Sequence, residues 1–455
     1  MELFKLVIRE TTLNAEGRLV LPALWNFKVL DRLPNNYNLA SNILKSVFKK
    51  ISKDKIKLNT YDSVIKQYYE EGIITKISDL SNLKFSKGVS FLGHRAVFRE
   101  SSESTKCRLV LMSNVCQKGE GNLSMNQVSL PGPQLNSKIT ATVFLYRFNK
   151  YLMLYDLRKA FLQLVLKHED SMKMHILWFE DVANENFNLV AYKFNRVPFG
   201  TRFSPSLLLV ALYIMLVLHA NISSEEDNSI RNMIYNLSYM DNMAYSSENE
   251  LDILRAYHFS HELFGSFKFE LQQFYTNSSE LNAVLKNSDI FAKFFGLTWN
   301  TREDTLEIRK PFLNSSARTK RQILETLNSN YDPLGILLPI FNRGKLFLHE
   351  LQCNPNLDWD TPLDVTHIKN WKNICNQLNN SKNLVISRYI GDYSEEFEMY
   401  VFTDASKDIY GCVIYLKSIN SDTLHFIQSK NRIVSKTATN RSIPILELLA
   451  VEFGV

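Results

Sequence analysis

The chain has 455 residues, 45% hydrophobic and 22% charged, which is apolar material for roughly two to four packed domains. Its 29 Phe and 20 Tyr against 15 Gly and 12 Pro exclude a disordered or linker-dominated chain. The net charge of +6 is compatible with a polyanionic partner without establishing one, and five scattered cysteines without a CxxC pair exclude a zinc-ribbon signature and suit a reducing compartment.

The opening MELFKLVIRE lacks the long apolar core of a signal peptide. Leu39, Ile43, Val47 and Ile51 recur every four residues and predict an amphipathic helix. Lys45, Lys49, Lys50, Lys53, Lys55 and Lys57 cluster on and after it, either as a solvated face or as a surface for phosphates. A second helix is predicted from Tyr61 to Glu71, stopped by Gly72. Short apolar runs then predict strands at Leu109 to Met112, Tyr151 to Tyr155, His175 to Phe179 and Leu189 to Phe194. Lys159 to Leu166 reads as a helical turn or an irregular crossover. Phe203 to Ser223 holds no Asp, Glu, Lys or Arg. Its dense apolar part is about half the ~20 residues a membrane span needs, so a buried helix is expected, with Ser204 as N-cap and Pro205 in the first turn.

Ile234 to Met240 and Met243 to Ser246 read as strands around a tight Asp241-Asn242 hairpin, since Asx residues tolerate positive φ. After about Thr301 the pattern becomes helix-rich, with helices at Thr319 to Leu327 and Ile340 to Leu351. Strands return at Met399 to Thr403, Gly411 to Leu416 and Leu424 to Ser429, before a helix from about Pro444. Strands and helices mix without strict alternation, which favours an α+β fold over a doubly wound sheet.

The chemistry-bearing residues fall at strand ends. Asp156 closes Tyr151 to Tyr155, and Asp241 sits in the Tyr239-Met240-Asp241-Asn242 turn. Each alone is an ordinary turn residue. Two carboxylates on adjacent strands suit a pair of Mg²⁺ ions, which take hard oxygen ligands and assist in-line nucleotidyl transfer.

The segments YDLRKAFLQLVL, RVPFGTRFSPSLLL and SYMDNMAYS resemble successive reverse transcriptase motifs. LPNNYNLAS, STKCRLVLMSN, QVSLPGPQL, TKRQILETLNSNYDPLGILLPI and DWDTPL are similar to segments of the Pao/BEL group of LTR retrotransposons. The resemblance covers nearly the whole chain. It implies a right-hand polymerase of fingers, palm and thumb followed by a truncated ribonuclease H-like α/β segment. It also implies an RNA-directed DNA polymerase, a nucleotidyltransferase that uses two Mg²⁺ ions (or Mn²⁺), deoxynucleoside triphosphates and a primed RNA or DNA template. No membrane is implied. The expected place is cytoplasmic, in a retroelement particle, or nuclear, and not secreted.

Carried over by residue, the resemblance makes Asp156 and Asp241 catalytic. It makes Asp156, the Leu157 carbonyl, Asp241 and Asn242 the metal ligands. Arg108 would contact the triphosphate, Lys106 is either a second phosphate contact or an exposed surface lysine, and Pro198, Phe199 and Gly200 would line the nucleotide pocket. Phe161 is either the plate that rejects a ribose 2′-OH or a core residue. Two departures stand out. The family hairpin carries two adjacent Asp where this chain has Asp241-Asn242, and the fingers motif carries Asp and Ala near the end of Leu111-Met112-Ser113-Asn114. Near the end, Asp404 and Glu447 resemble the first two acidic residues of ribonuclease H, with Asp404 expected buried at a strand end; read alone, Asp404 is a strand-end turn residue and Glu447 a solvated helix residue. The remaining acids of that set are missing, so ribonuclease H activity is not expected.

The implied divisions are 1–90, a helical fingers-associated region; 91–300, fingers and palm; 301–395, a helix-rich thumb or connection; and 396–455, the ribonuclease H-like segment. An unrelated α+β protein whose Asp241 is only a turn residue is disfavoured by the number of motifs in order, and two functional readings stay open. One is a reverse transcriptase slowed by Asn242. The other is a catalytically inactive remnant that binds primer–template.

Overall fold

A computed structural model describes residues 2–98, 107–119, 121–183, 186–220, 224–286, 289–310, 312–379, 383–435 and 442–454. The chain divides into two compact units. The first comprises Met1–Asn136, Asp156–Met243 and Tyr257–Gln272, and the second comprises Ser137–Tyr155, Ala244–Ala256 and Gln273–Val455.

The first unit is organised on a four-stranded sheet in the order Ile74–Lys76, Asn186–Phe194, Met174–Asp181, Ser90–Phe91. The first three strands run antiparallel and the last pairs parallel. Met174 to Phe179 are buried without alternation, so this strand is covered on both faces. Helix Tyr37–Ile51 packs its apolar stripe there, with Phe48 and Phe179 ring centroids 4.7 Å apart. Helix Lys55–Glu70 adds Asp62, which accepts the Trp178 indole N–H at 2.8 Å. The helix ends at Gly72, whose φ of 67° suits a residue without Cβ. A two-stranded ribbon, His94–Phe98 with Cys107–Leu111, sets Arg108 opposite Val97.

Helix Ser204–Leu216 is buried nearly all round, as its uncharged sequence requires. Among the described residues no helix is long and apolar enough to cross a membrane. Ser204 differs from its expected role. The N-cap is Phe203, and the Ser204 hydroxyl instead donates to the Pro198 carbonyl at 2.7 Å. The expected strand from Ile234 is also absent, because helix Glu225–Leu237 occupies it. Ile230, Ile234 and Leu237 share a buried helical face, and Ser224 caps its start. A short apolar run by itself does not distinguish the two conformations.

The second unit carries an antiparallel sheet of Phe291–Phe294, Leu297–Asn300, Thr305–Ile308 and Leu384–Ser387. The Thr305–Ile308 strand interrupts the region read as helix-rich, since Leu306 and Ile308 alternate inward over only four residues. Helices Lys320–Asn328, Leu338–Gln352 and Val365–Asn379 follow. The last sheet joins Phe397–Ala405, Ile409–Ser418 and His425–Ile433 in antiparallel order. Helix Ile443–Gly454 packs Leu446 and Ala450 against Tyr410 and Val434.

Candidate active site at two carboxylate-bearing strand ends

The strand Tyr151–Leu157 is flanked by Asn242–Ser247 and Leu271–Thr276. Its residues Leu152 to Tyr155 are buried, so the strand is fixed by its core and Asp156 is carried to its end. The Leu157 N–H donates to the Asp241 carbonyl at 3.1 Å. This bond places Asp241 beside the residue that follows Asp156.

Asp241 occupies a two-residue loop closed by reciprocal backbone bonds. Tyr239 N–H donates to Asn242 O at 2.9 Å, and Asn242 N–H donates to Tyr239 O at 3.0 Å. The expected turn thus shifts by one residue. Met240 takes the positive φ of 57° while Asn242 starts the next strand. A left-handed non-glycine residue costs roughly 1–2 kcal/mol, and such strain gathers where structure is held for a purpose. The Asn136 side-chain amide donates to the Met240 sulfur at 3.0 Å.

Burial pushes Asp156 up to about 6, and the nearby Asp241 charge adds to it. The Gln272 amide donating to Asp156 Oδ2 at 2.8 Å, the Leu157 N–H and the Arg108 charge act against this rise. Asp241 is likewise raised by burial and eased by its own N–H and by Arg108. Desolvated carboxylates such as these are favoured in their ionised form by a nearby cation. Their oxygens, with an amide or carbonyl oxygen nearby, are the donor type a hard divalent cation takes. Among the described residues no three His, Cys, Asp or Glu side chains gather into a metal cluster.

Phe161 lies in the short helix Ala160–Gln163, half-buried, with its ring 4.9 Å from that of Phe199 in an edge-on contact. Phe199 and Gly200 are exposed and Pro198 is buried. Gly200 has φ of 93°, and a Cβ there would meet the Leu111 carbonyl at 3.2 Å, so this turn abuts the strand that carries Arg108. Arg108 itself is exposed. Lys106 lies outside the described residues. Lys45, Lys49, Lys50, Lys53, Lys55 and Lys57 are all exposed.

Three supporting side chains were not foreseen. Gln272 holds Asp156, Asn136 holds Met240, and Asn126 brackets the Gly200 turn by donating to Gly200 O and accepting from Arg202 N–H. Asn126 also donates to Asn114 Oδ1 at 2.8 Å, which gives the altered fingers residue a structural partner. None of the three stands in a motif: Gln272 arrives on the neighbouring strand, Asn126 on the short helix Met125–Val128 and Asn136 on a loop. In the second unit, Asp404 and Glu447 are both exposed. The expected burial of Asp404 fails because the Phe397–Ala405 strand lies at the edge of its sheet.

Residues 319–455 match the model of the Pao retrotransposon-like RNaseH-like domain. The fold is similar to that of the foamy viral protease-reverse transcriptase in complex with an RNA/DNA hybrid, with a TM-score of 0.52 and 14% identity, covering 99% of this chain and 54% of that one. It is similar also to the foamy viral protease-reverse transcriptase dRH in complex with double-stranded DNA, with a TM-score of 0.50 and 13% identity, covering 99% of this chain and 70% of that one. The chain therefore spans about half the length of the first of these. No curated protein matches it by sequence. The α+β fold is thus similar to that of a retroviral reverse transcriptase, and its residues 319–455 carry the sequence pattern of a retrotransposon domain.

Proposed function

We propose that this chain is an RNA-directed DNA polymerase of a retrotransposon, with its nucleotidyl-transfer centre at Asp156 and Asp241 and its rate lowered by Asn242. The observation that carries this reading is the Leu157-to-Asp241 backbone bond, which seats two desolvated carboxylates at neighbouring strand ends. Asp156, Asp241, the Leu157 carbonyl and the Asn242 amide would hold Mg²⁺. The chemistry these ligands would gain from bound divalent ions is activation of a primer 3′ oxygen and neutralisation of the leaving pyrophosphate. Gln272 orients the Asp156 carboxylate, and Arg108 brings positive charge to a triphosphate. Phe161 and Phe199 form one apolar wall against which a nucleoside would rest. The exposed lysines of 45–57 would follow a phosphate backbone. The foamy viral relatives hold an RNA/DNA hybrid and double-stranded DNA, which supports a primed template as substrate.

A second reading is favoured by Asn242, whose amide brings no negative charge to the metals. In that case the chain binds primer–template without extending it. Primer extension on a primed RNA template with Mg²⁺ separates the two. Slow synthesis that Asp156→Asn and Asp241→Asn both abolish is the expected result. Tight, salt-sensitive binding without extension favours the second reading, and neither binding nor extension removes both.

A further inference from the structure

Two and three residues beyond Asp156, Arg158 and Lys159 enter a polar pocket of about 240 Å³ within the first unit. Its other charged walls are Arg18, Arg196, Glu71 and Glu270, and Arg108 does not line it. The two acids are already committed. Glu71 takes Lys159 Nζ on both oxygens at 2.8 Å, and Glu270 takes Arg158 Nη1 at 2.6 Å. Lys159 reaches Glu71 from a left-handed backbone, with φ of 51°.

Arg18 and Arg196 are left facing the same space. The Arg196 side chain is only 9% exposed. Its Nη1 donates to the Gln163 carbonyl at 3.3 Å, and its Nη2 lies 3.9 Å from Glu16. Arg18 Nη1 donates to Gln163 Oε1 and to the Lys268 carbonyl, while its buried Nε makes no hydrogen bond. The carboxylate near that Nε is again Glu16, at 3.4 Å. Glu16 is 66% exposed, so water screens it and it is a weak counterion for two guanidinium groups. Burial first, and the Arg18 charge second, lower Arg196 to about 10 despite Glu16 and Glu71. Two guanidinium forks sharing one exposed carboxylate are short of negative charge, and the planar fork is matched to phosphate oxygens.

We propose that this pocket binds a free phosphate-class oxyanion, of the size of pyrophosphate, between Arg18 and Arg196. The volume is below the roughly 300–1,000 Å³ of sites that take drug-sized ligands, which selects a small anion over a whole nucleotide. Pyrophosphate is also what nucleotidyl transfer releases, but the site stands on its own geometry and its test needs no polymerase activity.

Calorimetric titration of the full chain with sodium pyrophosphate and with inorganic phosphate, at constant ionic strength, tests it. Saturable binding is expected, tighter for pyrophosphate. Arg18→Gln should weaken it by about tenfold or more, the loss of one charge-assisted contact. Arg18→Lys should recover part of it, and Lys118→Gln, on an exposed loop away from the pocket, should leave it unchanged. Arg18 is the side chain varied because Arg196 is more deeply buried. Affinity for a blunt DNA duplex should be the same for the Arg18→Gln and unaltered chains. The proposal is overturned if pyrophosphate does not saturate, or if it binds the Arg18→Gln and Lys118→Gln chains equally. A fall in duplex affinity with pyrophosphate binding intact also overturns it and assigns these cations to a nucleic-acid backbone.

Discussion

Replacing Arg388 with Met should be among the most damaging single changes in the second unit. Arg388 is fully buried. Its Nε and Nη2 grip Asp304 at 2.6 and 2.7 Å, and its remaining N–H groups donate to the carbonyls of Tyr146, Asn149 and Lys150 at 3.0, 3.0 and 2.6 Å. Lys150 leads directly into the Tyr151–Leu157 strand. Methionine fills a similar length but donates nothing, so Asp304 loses its counterion, and these carbonyls, with Phe148 O at 3.5 Å, lose a donor. Breaking a buried pair costs roughly 3–5 kcal/mol. Asp304 is 24% exposed and recovers some hydration, so about 3 kcal/mol is expected. Arg321 makes the same two-pronged contact to Asp360, at 2.8 and 2.9 Å, but in water. Urea unfolding followed by tryptophan fluorescence should show a large fall in midpoint for Arg388→Met and none for Arg321→Met. Equal effects, or a loss below about 1 kcal/mol for Arg388→Met, would refute the role given to burial.

Affinity for primer–template should fall steeply with salt, at a log–log slope of about −0.9 per neutralised phosphate, and changing Lys49, Lys50 and Lys53 together to Gln should flatten it; an unchanged slope would make the cluster a solvated face. His175 is buried, its ring nitrogens make no hydrogen bond, and burial lowers it to about 4. Because its folded value lies below the ~6.5 of an unfolded histidine, the stabilisation is complete above pH 6.5 and lost as pH falls toward 4. Asp156, raised to about 6, acts in the opposite sense, so the quantity to measure is the difference between the His175→Gln and unaltered chains. That difference should change by about 1.4 kcal/mol per pH unit between 6.5 and 4, and a flat difference would contradict a neutral buried ring. No cleavage of the RNA strand of a hybrid is expected, since Asp404 and Glu447 face water; cleavage that Asp404→Asn abolishes would overturn this.

What the sequence made legible followed period and order. The four-residue repeat from Leu39 to Ile51 forms the helix that covers the first sheet, and the uncharged run after Ser204 forms a buried helix. A backbone bond joins Leu157 to Asp241, and of the two apolar runs around the turn only the one after it is a strand. Local ambiguity defeated the rest. Ile234 begins no strand, because Ser224 and the acidic turn after it start a helix that carries through to Leu237. The hairpin's strained residue is Met240, not an Asx, since the Tyr239–Asn242 pairing sets the loop ends. Gln272 could not be found from any motif, because its role exists only when a strand more than a hundred residues away pairs beside Asp156. The guanidinium pair of Arg18 and Arg196 is hidden for the same reason.

In the proposed reading Asp156 and Asp241 hold the cations of a nucleotidyl-transfer site weakened at Asn242. Asn242 already closes the turn through its backbone, so Asn242→Asp adds charge while leaving the hairpin in place. Electrostatic groups at such sites are worth on the order of 10²–10³ in rate. Primer extension on a primed RNA template, comparing the unaltered chain with Asn242→Asp in Mg²⁺ and Mn²⁺, measures this directly. This assignment leads to weak synthesis by the unaltered chain, partial rescue by Mn²⁺, and a gain of about 10²-fold or more for Asn242→Asp that Asp241→Asn removes. Robust Mg²⁺-dependent extension by the unaltered chain with no gain from Asn242→Asp, or synthesis that persists in Asp241→Asn, would contradict it.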